Sequence, residues 1–187
     1  MSNDLDIFEL TDRAKRAQRA LATSTTAQRN GILLAISQAL VDHCEQILHA
    51  NAQDCQRAEE RGMASGLVDR LRLDESRIRA ISSAVLDVIA LEDPVGTVIR
   101  GARTDDGLRV TQLRVPMGVI GMIYEARPNV TVDASILCLK AGNAVILRGG
   151  SAAQDTNETL VAVIREAIDS LGFSADLVQT VDPWGRD

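Results

Sequence analysis

Aromatic side chains make up only 2% of these 187 residues: Phe8, Tyr124, Phe173 and Trp184. A core must therefore be built from Leu, Ile, Val and Ala, and a surface that stacks nucleic-acid bases is excluded for want of rings. A basic excess is missing too. The formal charge is −6 and the pI near 5.0, the opposite of what a reader of phosphate backbones carries. No apolar run approaches the roughly 20 residues needed to cross a bilayer. The opening MSNDLDIFEL is acidic where a secretion signal is basic and then apolar, so the expected location is the cytoplasm and no membrane partner is expected. Cysteines are few and odd in number, Cys44, Cys55 and Cys138, which fits a reducing compartment rather than a disulfide framework.

Two nucleotide signatures are also absent. There is no G-x-G-x-x-G, and Gly118 and Gly121 fall before and inside a strand-like run instead of at its helix-facing end. There is no Walker lysine-serine pair either, which argues against a nucleotide triphosphatase. What is present is a hydrophobic content of 45%, enough to bury a real core, and the length suggests one domain with or without an appendage.

From Asp4 to about Leu91 apolar residues recur at helical spacings: Leu5 and Phe8; Ile32, Leu33, Ile36 and Leu40; Ile78, Ile81, Val85 and Ile89. Thr25 with Gln28 reads as a capping box, Gly62 as a helix end and Asp74 as an N-cap. At EDPVGTVIRGARTDDGLRVTQLRVP the period becomes strand-like around an Asp106-Gly107 turn. The offset between Leu108/Val110 and Leu113/Val115 implies a bulge or twist. Such a hairpin either packs on its own domain or projects to pair with another subunit.

From Val119 the order is strand (Val119–Tyr124), helix (Val130–Ala141), strand (Ala144–Leu147), helix (Thr156–Leu171) and strand (Leu177–Val181). The two early strands are nearly continuous apolar runs, as expected of parallel strands covered on both faces. Gly142-Asn143 and Gly172 suit helix ends, and Asp155 with Glu158 suits a capping pair. The fold class is α/β: N-terminal helices, a hairpin and a parallel βαβαβ sheet.

In an open parallel sheet, ligands sit beyond the carboxyl ends of the strands, which here are YEARPN and RGGS. Arg148 offers a planar, permanent charge suited to phosphate, and Gly149 and Gly150 allow close backbone approach. On the plainer reading the glycines serve a tight turn and Arg148 pairs with a surface carboxylate. Asn129 is a candidate amide donor, or simply the N-cap of the helix at Val130. A metal site is not expected, because His43 and His49 lie about 240° apart on a helix and Cys44 and Cys55 do not supply a C-x-x-C spacing.

VPMGVIGMIYEARPNVTVDASILCLKAGNAVILRGG, with weaker support from ANAQD, LVDRL and the hairpin, resembles the γ-glutamyl phosphate reductases, also called glutamate-5-semialdehyde dehydrogenases. They are the proline-biosynthesis branch of the aldehyde dehydrogenase superfamily. The resemblance implies an aldehyde dehydrogenase-like fold with a helical part of a cofactor domain (1–94), an oligomerisation hairpin (95–116) and a Rossmann-like NADP-binding part (117–187). It implies NADP(H) as cofactor and the reduction of L-glutamyl 5-phosphate to glutamate 5-semialdehyde with release of phosphate. A homo-oligomer is implied, with glutamate 5-kinase as a candidate functional partner.

By the same resemblance Arg148 takes the ribose-reading position, where a guanidinium suits a 2′-phosphate. Ser151 stands where relatives that use NAD have an acidic residue. Tyr124, Gly149 and Gly150 complete the cofactor set, Arg127 is assigned to substrate, and Asn129 matches the oxyanion donor. The family's chemistry needs a thiolate that attacks the acyl phosphate, and none of the three cysteines suits it. Cys138 sits inside SILCLKAG, where a small buried thiol is the ordinary reading. The expectation is that the catalytic domain is absent, that the chain ends abruptly at VDPWGRD, and that it is inactive alone. The alternative is a noncatalytic dinucleotide-binding or oligomerisation module. A coenzyme-A-acylating aldehyde dehydrogenase shares the sheet but not the quoted signature.

Overall fold

The computed structural model describes residues 7–181; Asp4 and Leu5 of the helical pattern, and the tail from 182 that includes Trp184, lie outside them. Five helices come first. α1 (Ile7–Ala22) buries Leu10, Ala14, Ala17 and Leu21, one stripe of a 3.6-residue period. α2 (Thr26–Asp42) opens with the expected capping box, Thr25 and Gln28 each accepting from the other's backbone, and buries Ile32, Leu33, Ile36 and Leu40. α3 (Cys44–Glu60) ends at Gly62, whose φ of +72° only glycine adopts readily. α4 (Ser65–Leu71), which carries LVDRL, is short. α5 (Glu75–Ala90) is capped by Asp74, whose carboxylate accepts from Arg77 N at 2.7 Å.

β1 (Val98–Arg103) and β2 (Arg109–Leu113) form the antiparallel hairpin. The bulge falls on β1: Val98 faces Leu113 while Arg100 already faces Gln112, leaving Ile99 as the extra residue. Every residue of both strands is exposed. The reading in which the hairpin packs on its own domain is therefore overturned; it projects, with Val98, Ile99, Val110 and Leu113 in solvent. Its base is firmly held. Asp93 accepts from Thr26 Oγ1, from the buried guanidinium of Arg29 and from Val95 N. Beside it Lys140 Nζ donates to Asn30 Oδ1 (2.8 Å) and Ile89 O (2.9 Å).

β3 (Val119–Ile123), β4 (Ala144–Arg148) and β5 (Val178–Thr180) make a parallel sheet in the order β3-β4-β5. α6 (Pro128–Lys140) and α7 (Gln154–Asp169) are its crossovers. The observed βαβαβ order is the expected one, with boundaries moved by one or two residues. β4 is buried almost throughout, but β3 is an edge strand on which Gly121 and Ile123 are exposed, Ile123 to 81%. A continuous apolar run thus does not by itself establish cover on both faces. The helices and the sheet share one core, in which Ile32, Leu33 and Ile36 join Val132, Leu139, Val145, Leu147 and Ile164. The apolar stripe of α1 is therefore closed by the sheet, and that of α2 by α5, α6 and α7.

Two caps differ from expectation. α6 begins at Pro128 rather than Val130, because proline's fixed φ and missing N–H suit a first helical position. Asn129 then lies inside the first turn and is not the N-cap. For α7, Asp155 and Glu158 do not form a capping pair: Ala153 occupies the cap position and no local side chain serves it. Its cap comes from α3, as described below. Gly142 (φ +75°) and Gly172 (φ +76°) end α6 and α7 as expected.

Candidate cofactor site at the carboxyl edge of the sheet

The carboxyl ends of β3 and β4 are adjacent. Ile123 faces Arg148, and Tyr124 N donates to Arg148 O at 3.0 Å, which extends the ladder one residue past β3. From this point the chain turns through Glu125, Ala126 and Arg127 into α6, and β4 continues through Gly149, Gly150 and a single 3₁₀ turn (Ser151–Ala153) into α7. The topology thus brings Tyr124, Arg148, Gly149, Gly150 and Ser151 to one edge. Arg148 is half-buried and Ser151 exposed.

Beneath this edge runs a buried polar chain. Thr131 Oγ1 donates to Asn157 Oδ1 (2.8 Å), which commits its one proton, so the Tyr124 hydroxyl donates to Thr131 Oγ1 (2.7 Å). Thr131 and Asn157 are both fully buried, as such groups can be when paired. The chain links the end of β3 to α6 and α7.

The glycine pair has a specific cause. A Cβ on Gly149 would overlap the Asn157 amide and stand 3.2 Å from the Tyr124 hydroxyl. A Cβ on Gly150 would stand 2.7 Å from Ala126 N, on a backbone whose φ of −73° any residue adopts. The glycines are therefore required by close packing of this chain on itself, seating the 124–127 loop on β4. Neither has the positive φ of a left-handed turn.

Arg127 is exposed, 4.0 Å from the Glu125 carboxylate. Asn129 is also exposed, and its amide donates to Asp133 Oδ2 at 3.4 Å. Burial pushes the Asp133 carboxyl above its usual range, opposed by that same bond. None of the cysteines reaches the strand ends: Cys138 is on α6 and buried, and burial pushes its thiol up to about 11. Burial likewise raises Cys44 and Cys55, so each thiol is held protonated, the reverse of what a nucleophile needs. His43 pairs with Gln46 and His49 with Gln53, and no group of three or more metal-ligating side chains exists among the described residues. A cavity of about 310 Å³ lined by Val41, Cys44, Leu48, Glu75 and Arg79 lies among the helices, away from the sheet edge.

The motifs did not disclose a second polar cluster that abuts the site. Asp54 of α3 is 1% exposed and its carboxylate meets the first turn of α7. It accepts from Thr156 N (2.8 Å), Thr156 Oγ1 (2.6 Å) and Asp155 N (3.3 Å). Arg57 bridges Asp54 to Asp155, the latter at 2.8 Å. Asn51 donates to Thr156 Oγ1 and Leu71 O and accepts from Leu73 N. ANAQD thus supplies Asn51 and Asp54 to partners some hundred residues later, a separation that no local pattern signals.

Comparison with known proteins gives a consistent picture. The family model described as the aldehyde dehydrogenase family matches residues 2–187. The chain is similar to the γ-glutamyl phosphate reductase of Bifidobacterium longum subsp. infantis, 53% identical, over 100% of this chain and 44% of that protein. It is also similar to that of Kineococcus radiotolerans, 52% identical, over 97% of this chain and 42% of the relative. The crystal structure of γ-glutamyl phosphate reductase from Thermotoga maritima superposes with a TM-score of 0.90 at 42% identity, covering 94% of this chain and 42% of that one. The chain spans less than half the length of these relatives.

Proposed function

This chain belongs to the aldehyde dehydrogenase family, and from that premise we propose that it is the cofactor-holding part of an NADPH-dependent γ-glutamyl phosphate reductase. The reaction is the reduction of L-glutamyl 5-phosphate to glutamate 5-semialdehyde with release of phosphate, in proline biosynthesis. The observation that carries the reading is the position of Arg148. It is a half-buried residue at the carboxyl end of β4, three positions before the exposed Ser151, where a sheet of this topology receives its ligand.

The residue types suit a 2′-phosphorylated dinucleotide: a permanently charged planar cation, Arg148, and a neutral hydroxyl, Ser151, that does not repel phosphate. Gly149 and Gly150 act indirectly, by seating the Tyr124–Arg127 loop against β4. When bound, the nicotinamide supplies hydride. Asn129 is assigned to donate its amide to the developing oxyanion through the N–H that its long contact with Asp133 does not use; Arg127 is assigned to the anionic substrate. No described cysteine offers a thiolate, so the residues seen here account for binding and orientation, and the chain alone is inactive.

A second reading, in which this chain serves as an assembly module, is favoured by the fully exposed hairpin. In the proposed homo-oligomer the two roles coexist. The test is titration of the chain with NADPH and NADH by nucleotide fluorescence, together with an assay of phosphate-dependent oxidation of the semialdehyde. Preferential NADPH binding without turnover supports the reading; equal or undetectable binding of both, or turnover abolished by Cys138→Ser, contradicts it.

A further inference from the structure

The carboxylate of Asp54 occupies the place where a nucleotide phosphate commonly sits in an open α/β sheet, the amino end of the helix that follows a strand. The first-turn amides of α7 and the partial positive charge of its dipole are already engaged by this side chain, which is 1% exposed and takes three hydrogen bonds from Asp155 and Thr156. Its remaining bond, from Arg57, ties the same guanidinium to Asp155, and Asn51 holds the Thr156 hydroxyl from the other side. Only Ser151, Ala152 and Ala153 separate the glycine pair from α7. The start of the helix therefore fixes where β4's exit loop, with Arg148 at its head, can lie.

We propose that Asp54 is a positioning residue: an internal carboxylate that closes the amino end of α7 to ligand phosphate and locks the 148–153 segment in place from α3. The assignment of a nucleotide to that segment rests on the function proposed above; the lock itself does not. Two consequences follow. Phosphate recognition at this edge falls to side chains, Arg148 foremost, because the helix end is taken. Emptying the Asp54 site should also turn the helix end into an acceptor for a small anion.

The test uses this chain and its Asp54→Ala and Asp54→Asn variants. Hydrogen exchange read by mass spectrometry should quicken at residues 149–156 in Asp54→Ala, on the order of five- to thirtyfold, the usual effect of deleting a cap, with α5 unchanged. Formate should restore both protection and thermal midpoint in Asp54→Ala, beyond the effect of chloride at equal ionic strength, and do nothing extra for the parent chain. Asp54→Asn keeps one acceptor oxygen and should fall between. If Asp54→Ala does not fold, Asp54→Asn carries the same exchange measurement. Unchanged exchange at 149–156, or loss spread evenly over the molecule with no response to formate, overturns the lock.

Adenosine 2′,5′-bisphosphate supplies the second arm. Affinity lost in Asp54→Ala and regained with formate supports the positioning role. Affinity unchanged while the exchange rises shows that the lock does not serve the ligand. Failure of the parent chain to bind the nucleotide refutes the cofactor reading and leaves the exchange and formate results to decide the lock.

Discussion

The amide of Asn157 stands where a side chain on Gly149 would have to be, so these two residues are complementary in volume. Gly149→Ala should push Asn157 out of its bond with Thr131 and lower stability by about 1–3 kcal/mol through overpacking and an unpaired buried amide. Gly31 lies within α2 with no atom inside 4 Å of an added Cβ, so Gly31→Ala should raise stability by roughly 0.5–1 kcal/mol. Thermal melts of the two variants should therefore move in opposite directions.

Arg148→Ala should weaken NADPH far more than NADH. A charge-assisted contact with phosphate is worth roughly 1.5–3 kcal/mol, on the order of ten- to a hundredfold in affinity. Parallel fluorescence titrations check this. Equal losses for both cofactors would make Arg148 a general contact and move the 2′-phosphate elsewhere.

The hairpin exposes Val98, Ile99, Val110 and Leu113, and its strands have outer edges without strand partners among the described residues. A strand from a second copy is the natural cover. Deleting residues 100–112 should leave the core intact and reduce the sedimentation coefficient to that of a monomer, whereas an unchanged distribution would refute self-association through the hairpin.

Asp93 contributes stability that depends on acidity. Burial pushes its carboxyl up, but the bonds from Thr26 and Val95 N and the charge of Arg29 outweigh this and hold it below 3.8. A carboxyl whose folded pKa lies below its unfolded one stabilises fully above the unfolded value and loses that contribution as pH falls through the folded value. Asp93→Asn should therefore cost several kcal/mol at pH 7, roughly 3–5 if the buried Arg29 is left uncompensated. The gap to the parent chain should narrow below about pH 3.8, as urea melts at pH 7 and pH 3 will show.

Cys138 is held protonated, its thiol at about 11 by burial. At pH 8 it should resist iodoacetamide in the folded chain and react promptly in urea, which peptide mapping distinguishes from labelling of the half-buried Cys44. Rapid labelling of Cys138 in the native chain would contradict its place in the core.

Where a structural cause was local, the sequence displayed it. The capping box at Thr25, the caps at Asp74, Gly62, Gly142 and Gly172, the hairpin turn and the βαβαβ order all depend on residues within a few positions of one another, and the apolar periods marked the inward faces of α2 and α5, whereas on α1 Phe8 is 76% exposed and Leu10, Ala14, Ala17 and Leu21 turn inward instead. What tertiary structure alone decided was the pairing of groups far apart in the chain. The cap of α7 was legible as a local need, and Asp155 with Glu158 was the nearby candidate. The carboxylate that meets it instead comes from Asp54, because packing α3 on α7 delivers a buried acid whose own hydrogen-bonding demand is satisfied only there. RGGS could be read as a ligand cradle or a turn, and neither reading names Asn157 and Ala126, which fill the glycine faces. Projection of the hairpin was undecidable from its alternation, since a strand pattern states which residues share a face and not whether anything covers that face. Residue spacing carries local geometry; which distant surface completes a helix end, a glycine face or an edge strand is set by how the layers stack.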